Sequence, residues 1–362
     1  MSTRGRLRPT VAVGAAVALA VAGGPAWAQA DPASAPRLYV PEAAASCSDQ
    51  PVTPVFSTSF VPLGPAELRP GLDAAATGLI EFSVDAAGRP VDIVAPAEAN
   101  TDVFPNVREA SEATFAAWRF APGPREGCRL RMVYSAMGVA TAPASVLAAY
   151  FGGNRRNGPL RDAVRRRLAG EDASCEEGAE ARSYAVPNFD APGKRPGVQD
   201  WSVVRWSVAD GRVRDVEIVA SSGSPPFDAE VARATGQARL APGAARTGCV
   251  YNWYRRGLTL PAPAMPPPPS DGQQHCPAAV LADWRPQALA GPEAFRMAGV
   301  EGWALVRFDI APWGEVGNVR LIGAQPARAF GEAAMNMVRR GRAAPGEGAV
   351  GCVQPVEFRI AD

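Results

Sequence analysis

Apolar and polar residues alternate in three stretches of this 362-residue chain. The stretches begin at Gly78, Trp201 and Gly302, and their central glycines are Gly88, Gly211 and Gly314. Alternation on both sides of a glycine predicts two half-buried strands joined by a tight turn with a positive φ angle. We therefore expect three β-hairpins.

A helical pattern follows each hairpin. Apolar residues recur every three or four positions in the segments 107–120, 227–240 and 330–343. This period predicts an amphipathic helix that packs on the preceding hairpin. Each helical segment leads into Ala-Pro-Gly, where proline cannot continue the helix and glycine permits a sharp exit. Short apolar strands are expected after these corners, at 129–135, 250–256 and 353–360.

The order strand, strand, helix, strand thus occurs three times. It predicts an α+β fold of three tandem ββαβ units, each a small antiparallel sheet with one packed helix. We place the units at 38–136, 175–258 and 276–362. A helical linker segment is expected at 137–174 and a Pro-rich linker at 259–275.

The first thirty residues have the features of a targeting segment. Arg4, Arg6 and Arg8 precede an apolar run from Val11 to Ala22, and small residues permit cleavage after Ala28 or Ala30. This order is typical of a signal peptide. We interpret 1–30 as a cleaved signal peptide and expect an exported, periplasmic protein, with an uncleaved membrane anchor as the alternative.

The six cysteines fall one early and one late in each unit. An even number in an exported protein favours disulfides, although six cysteines allow 15 pairings. Only pairing within units treats the three units alike. The expected bridges are Cys47–Cys128, Cys175–Cys249 and Cys276–Cys352, and each would stabilise the fold by about 4 kcal/mol in the chain-entropy model.

Charge and composition argue against several functions. The chain has 37 Lys and Arg, 36 Asp and Glu, and a single histidine. This balance gives no reason to expect a nucleic-acid partner. His275 lacks the convergent ligands of a metal site, and one histidine supplies no repeated catalytic triad. We expect no metal, no cofactor and no catalytic residue, with an enzyme of unrecognised site as an alternative.

A basic amphipathic segment lies in the helical linker. Leu160, Val164 and Leu168 form one helical stripe, and arginines occupy the other faces between residues 155 and 168. Such a helix can contact anionic lipid. The alternative is a helix docked on a neighbouring unit by its apolar stripe, with a solvated basic face.

The third unit resembles the C-terminal domain of the TonB family. The similar features are the hairpin "GWALVRFDIAPWGEVGNV", a helix that begins at Phe330 and the exit Arg-x-x-Pro-Gly at 342–346. In the first unit, "ATFAAWRFAPG" is similar to the family's helix end. The resemblance implies a three-stranded antiparallel sheet whose last strand can pair with a peptide from an envelope protein.

The implied peptide-binding edge lies on the closing strands of the first two units, because Pro355 weakens pairing in the third. The candidate residues are Tyr251, Trp253, Tyr254, Arg129, Arg131 and Tyr134. The alternative is that the aromatic side chains pack against the linker helix or a neighbouring unit.

The resemblance leaves two roles open. TonB energy transducers for outer-membrane transport resemble rods with an uncleaved N-terminal anchor and a long Pro-rich spacer. Here the run Pro261 to Pro269 would span only about 28 Å as polyproline. We therefore favour a binding or scaffold protein over a transducer.

Overall fold

The computed structural model describes residues 35–69, 75–153, 157–175, 181–183, 185–241, 243, 245–269, 276–277, 284 and 290–360. Its strands are β1 (Arg37–Cys47), β2 (Gln50–Pro51), β3 (Ala75–Val84), β4 (Pro90–Val94), β5 (Arg125–Gly138), β6 (Ala181–Ser183), β7 (Asp200–Ala209), β8 (Arg212–Ser221), β9 (Arg239–Leu240), β10 (Arg246–Arg255), β11 (Gly302–Ile310), β12 (Val316–Gln325) and β13 (Ala349–Phe358). Its helices are α1 (Pro105–Ala116), α2 (Ala144–Gly153), α3 (Pro159–Ala169), α4 (Pro225–Gln237), α5 (Glu293–Ala298) and α6 (Arg328–Arg339).

The described strands form three antiparallel sheets. The first has the order β2-β1-β5-β3-β4, the second β10-β7-β8-β9-β6, and the third β12-β11-β13. The α+β class expected from the sequence is confirmed. Each sheet contains a hairpin and, next to its first strand, the strand that follows the helix.

The helices on the three sheets begin two residues earlier than the apolar period indicated. α1 begins at Pro105 and α4 at Pro225, where a proline lies in the first turn. Proline is favoured there because the first turn has backbone N–H groups with no partner inside the helix. All three helices end before their Ala-Pro-Gly corners, so the period overestimated their length.

Each Ala-Pro-Gly corner docks on the turn of the preceding hairpin. The N–H of Phe120 donates to the carbonyl of Gly88 at 2.8 Å, and Ala343 donates to Gly314 at 3.1 Å. The N–H of Leu240 makes the same bond to Gly211 at 2.9 Å. A Cβ atom on Gly88 would lie 2.2 Å from the Phe120 carbonyl oxygen, so this close approach requires glycine. The three corners are thus built alike.

Three disulfides join the cysteines in the pairs expected from the repeat. The Cα atoms are 3.9 Å apart in Cys47–Cys128, 5.0 Å in Cys175–Cys249 and 5.2 Å in Cys276–Cys352. Each bridge ties the closing strand of a sheet to a segment that precedes its hairpin.

The first and third sheets share one apolar core. Phe295 and Phe330 lie in the same cluster as Phe115 of α1. At the boundary, the N–H of Ile93 in β4 donates to the Pro326 carbonyl at 2.9 Å, directly after β12. The two sheets are therefore not joined by a linker alone.

Helices α2 and α3 fill the space between the first and second sheets. Their cluster contains Leu38 of β1, Leu147 of α2, Val164 and Leu168 of α3, and Val203 of β7. Val164 and Leu168 of α3 are buried. This agrees with the expectation that the helix docks on a neighbouring unit by its apolar stripe. The residues from Pro36 onward form one compact unit.

Candidate partner-binding edge

The closing strand of the first sheet is not an edge, which corrects the expectation for Arg129, Arg131 and Tyr134. β5 pairs with β3 on one side and with β1 on the other, in a register that runs from Cys47 opposite Cys128 to Arg37 opposite Gly138. Tyr134 is only 1% exposed. The chain's own N-terminal strand therefore occupies the place where a partner peptide would add.

The closing strand of the second sheet is an edge. β10 pairs with β7, from Cys249 opposite Trp206 to Arg255 opposite Asp200. Among the described residues, no strand pairs with the other side of β10. An edge strand offers backbone N–H and C=O groups to which an extended peptide can add.

Described residues cover the beginning of this open side. The N–H groups of Ser174 and Cys175 both donate to the Thr247 carbonyl, at 3.0 and 3.1 Å. The Cys175–Cys249 disulfide fixes this contact. Beyond Cys249, no described strand pairs with this side of β10, and the Arg161 side chain donates to the Asn252 side chain at 2.8 Å.

The aromatic residues expected on this edge divide between the two faces of the sheet. Trp253 packs with Phe189 beside the core of Val204, Phe227 and Val231. Tyr251 contacts Trp253 edge-on, with ring centroids 5.4 Å apart, yet stays 51% exposed. Tyr254 is 41% exposed.

The three aromatic residues of this strand therefore differ in their surroundings. Trp253 is partly a core residue of its own unit, whereas the alternative placed it against the linker helix or a neighbouring unit. The two tyrosines keep surface that a partner could contact.

An open cleft of about 630 Å³ borders the edge. Seven consecutive residues, from Tyr251 to Gly257, line it together with Phe189, Lys194, Gln199, Arg296 and Met297. Side chains of neighbouring residues in a strand point to opposite faces. Five of these residues, Tyr251 to Arg255, belong to β10, so the cleft contacts residues of both faces and lies along the edge of the sheet.

A buried ion pair fixes the end of β10, and no sequence pattern indicated it. The Arg255 Nε donates to the Asp200 carboxylate at 3.0 Å, and both side chains are almost fully buried. Arg195 also donates to Asp200, at 2.9 Å. The Arg255 guanidinium further donates to the carbonyls of Ala191 and Pro192 and lies over the Phe227 ring.

This ion pair could have been suspected only from the register. Asp200 and Arg255 lie directly opposite each other in β7 and β10, but a carboxylate and an arginine at strand ends more often face water. The pair joins β10 to β7, and the same guanidinium ties β10 to the loop at residues 189–192.

The closing strand of the third sheet, β13, is also an edge in the described part of the chain. Pro355 lies inside it, opposite Leu305 of β11, and is exposed. Since proline has no N–H to donate, it limits pairing at this position, in line with the expectation from the sequence.

The basic face of α3 lies beside a second cleft. Arg165, Arg166 and Arg167 line it with Pro36 and Glu171, and its volume is about 840 Å³. Arg166 and Arg167 are exposed. Arg155 and Arg156, which belong to the same predicted basic segment, lie outside the described residues, as do His275 and residues 1–30, which were predicted to be a signal peptide.

Two features are absent from the residues that the structure describes. No helix there is long and apolar enough to cross a membrane. No cluster of three or more His, Cys, Asp or Glu side chains in those residues is arranged to hold a metal ion.

Comparison with known proteins places a family likeness on the third sheet. Residues 289–360 match the family described as Gram-negative bacterial TonB protein C-terminal. This segment comprises α5, β11, β12, α6 and β13.

Two relatives support this likeness. Protein TonB of Escherichia coli (strain K12) is 38% identical over 76 residues, which cover 21% of this chain and 30% of that protein. Protein TonB of Klebsiella pneumoniae is 32% identical over 76 residues, with the same coverage. The chain therefore spans about 30% of the length of these curated relatives. The likeness indicates a non-enzymatic protein.

Proposed function

We propose that this chain is an exported, TonB-like protein of the periplasm that binds an envelope protein or peptide by pairing with the edge of a sheet. The match of residues 289–360 to the TonB C-terminal family supports the envelope setting. The open side of β10, with exposed tyrosines along a cleft, is the observation that carries the binding role.

The three sheets are, in this proposal, diverged copies of one ββαβ unit that act as a scaffold. Equal element order, the same bond between corner and hairpin glycine, and one disulfide per sheet support this. The copies differ at the outer side of the closing strand. β1 fills it in the first copy and Pro355 restricts it in the third, so the second copy is the binding copy.

Site-specific photo-crosslinking tests the proposal. A benzoyl-phenylalanine at Tyr254, next to the open edge, should crosslink to a discrete envelope protein in intact cells. The matched control is Val133, which is 44% exposed but lies on the inner strand β5. Equal crosslinking from both positions would contradict edge-specific binding.

A TonB-type energy transducer with an uncleaved N-terminal anchor is the second candidate, favoured by the names of the two relatives. The mature N-terminus separates the two roles. Mass spectrometry should find a chain that begins after Ala28 or Ala30. An intact Met1 in the membrane fraction would favour the transducer instead.

The basic segment 155–168 is proposed to make weak contact with anionic lipid through the exposed Arg166 and Arg167. Vesicle flotation should show binding that requires anionic lipid and falls as salt rises, because screening weakens exposed charge contacts. Replacement of both arginines by alanine should remove it. Binding to neutral vesicles at the same level would contradict this contact.

A further inference from the structure

The connection between α2 and α3 ends in an exposed Asn-Gly pair. α2 ends at Gly153 and α3 begins at Pro159, and Asn157 and Gly158 come directly before that proline. Asn157 is exposed and lies outside both helices. Of the asparagines in the sequence, Asn157 alone is followed by glycine. A side-chain amide and a glycine nitrogen are therefore neighbours at the surface.

Gly158 has a backbone conformation that other residues rarely adopt. Its φ and ψ angles are 151° and 175°, a region occupied almost only by glycine. The ring of Pro159 keeps the residue before it out of the helical conformation. The Gly158 carbonyl accepts from the Asp162 N–H at 3.0 Å, whereas the Gly158 N–H donates to none of the described residues. An added Cβ would meet no atom within 4 Å, so the surroundings of this residue are open.

These conditions favour a reaction between the two residues. The Gly158 nitrogen attacks the side-chain carbonyl carbon of Asn157, and the new C–N bond closes a succinimide ring. The bond from that carbon to the side-chain nitrogen breaks, and the nitrogen leaves as ammonia with the proton from Gly158. Water then opens the ring at one of its two carbonyls and gives aspartate or isoaspartate. The reaction needs water and no oxidant or reductant.

Other exposed asparagines lack these conditions. Asn106 in α1 and Asn336 in α6 are followed by valine and methionine, whose side chains hinder attack by the backbone nitrogen. Asn188 is followed by phenylalanine, and its Oδ1 accepts from the Asp190 N–H at 3.0 Å. This bond restrains the Asn188 side chain. Asn157 should therefore react before the other three.

The two helices are held together by contacts outside this connection. The Arg161 guanidinium donates to the Phe151 carbonyl at 2.8 Å and lies 4.0 Å from the centroid of the Phe151 ring. Val164 and Leu168 of α3 are buried in the cluster that also contains residues of α2. A change at Asn157 can therefore occur in the folded chain and leave both helices docked.

We propose that Asn157–Gly158 is a deamidation site, where conversion of Asn157 to aspartate or isoaspartate adds a negative charge in front of α3. The N-terminal end of a helix favours negative charge, and Asp162 already lies in the first turn. The new charge lies within the basic segment 155–168 and lowers its net positive charge. The modification site goes beyond the proposed function, whereas its effect on lipid contact rests on the contact proposed above.

Peptide mapping tests the site after the full chain, with its disulfides intact, has been incubated in mildly alkaline heavy-oxygen water. Residue 157 should convert to a mixture of aspartate and isoaspartate that carries oxygen from the water, while Asn188 and Asn336 remain asparagine. Asn157→Gln is the matched variant, because glutamine must close a larger ring and should remain unconverted. An unchanged Asn157, or conversion to aspartate without isoaspartate, would overturn the proposal.

Vesicle flotation tests the effect on lipid contact. Asn157→Asp should bind vesicles that contain anionic phosphatidylglycerol up to about fivefold more weakly than the native chain, the effect of one charge near an anionic surface. Asn157→Gln should bind like the native chain. Equal binding of Asn157→Asp and the native chain would overturn this effect. If the native chain does not bind, the lipid contact proposed above is wrong, and the peptide map still decides the deamidation site.

Discussion

The carboxyl group of Glu112 should make the stability of this protein fall as pH rises. Glu112 lies in α1 and is only 7% exposed. Burial is the main cause that raises its pKa from 4.5 to about 7, and the nearby carboxylates Glu332 and Glu109 raise it further. The Ala95 N–H, 2.6 Å from Glu112 Oε1, and Arg108 oppose the shift only in part.

The direction of the effect follows from proton binding. Between pH 4.5 and about 7, the folded chain keeps the Glu112 proton while the unfolded chain has lost it. The stability from this proton is complete below pH 4.5 and is lost as pH rises to about 7. At 1.36 kcal/mol per pKa unit, the shift corresponds to a loss of about 3 kcal/mol in the free energy of unfolding.

The Glu112→Gln variant isolates this effect, because glutamine keeps an oxygen that can accept from the Ala95 N–H and cannot ionise. Urea unfolding at pH 5 and pH 8, with the disulfides intact, should show a pH-dependent loss in the native chain that the variant lacks. Glu332→Gln is the matched control, since Glu332 is 64% exposed. It should keep most of the pH dependence. Equal pH dependence in the native chain and in Glu112→Gln would refute the reasoning.

Two further predictions concern the ion pair at the end of β10 and the disulfide that joins β1 to β5. Arg255→Met should lower the free energy of unfolding, measured in urea, by about 3–5 kcal/mol, because it leaves the Asp200 carboxylate buried with fewer partners. Adding Asp200→Asn should restore part of this stability. If the two substitutions lower the free energy of unfolding independently, the pairing is contradicted. Replacing Cys47 and Cys128 by serine removes a bridge that closes 81 residues of sequence and should cost about 4 kcal/mol. Hydrogen exchange in β1 should then rise first, whereas uniform exchange across the first sheet would contradict the role of this bridge in holding β1.

The features that sequence predicted well were local or repeated. Alternation around Gly88, Gly211 and Gly314 identified the hairpins, because the period of side chains in a strand is read directly from neighbouring residues. The cysteine pairing could be predicted because the same spacing occurs three times. A single unit would not have shown this repeat.

The covering strand β1 was not predicted because its local pattern argues against a strand. Its sequence contains Pro41 and the run Ala43–Ala45, which have low strand propensity. Tertiary pairing with β5 overrides that preference. The same limit applies to the shared core of Phe115, Phe295 and Phe330, since contacts between units leave no local period.

The central claim is that a partner adds to the open edge of β10 and not to the closed side of β5. Hydrogen exchange measured by mass spectrometry, with and without the envelope partner captured at Tyr254, tests this directly. The partner should slow exchange of backbone amides in residues 250–255 and leave residues 129–134 unchanged. Protection confined to α3, or equal protection of β5 and β10, would contradict it.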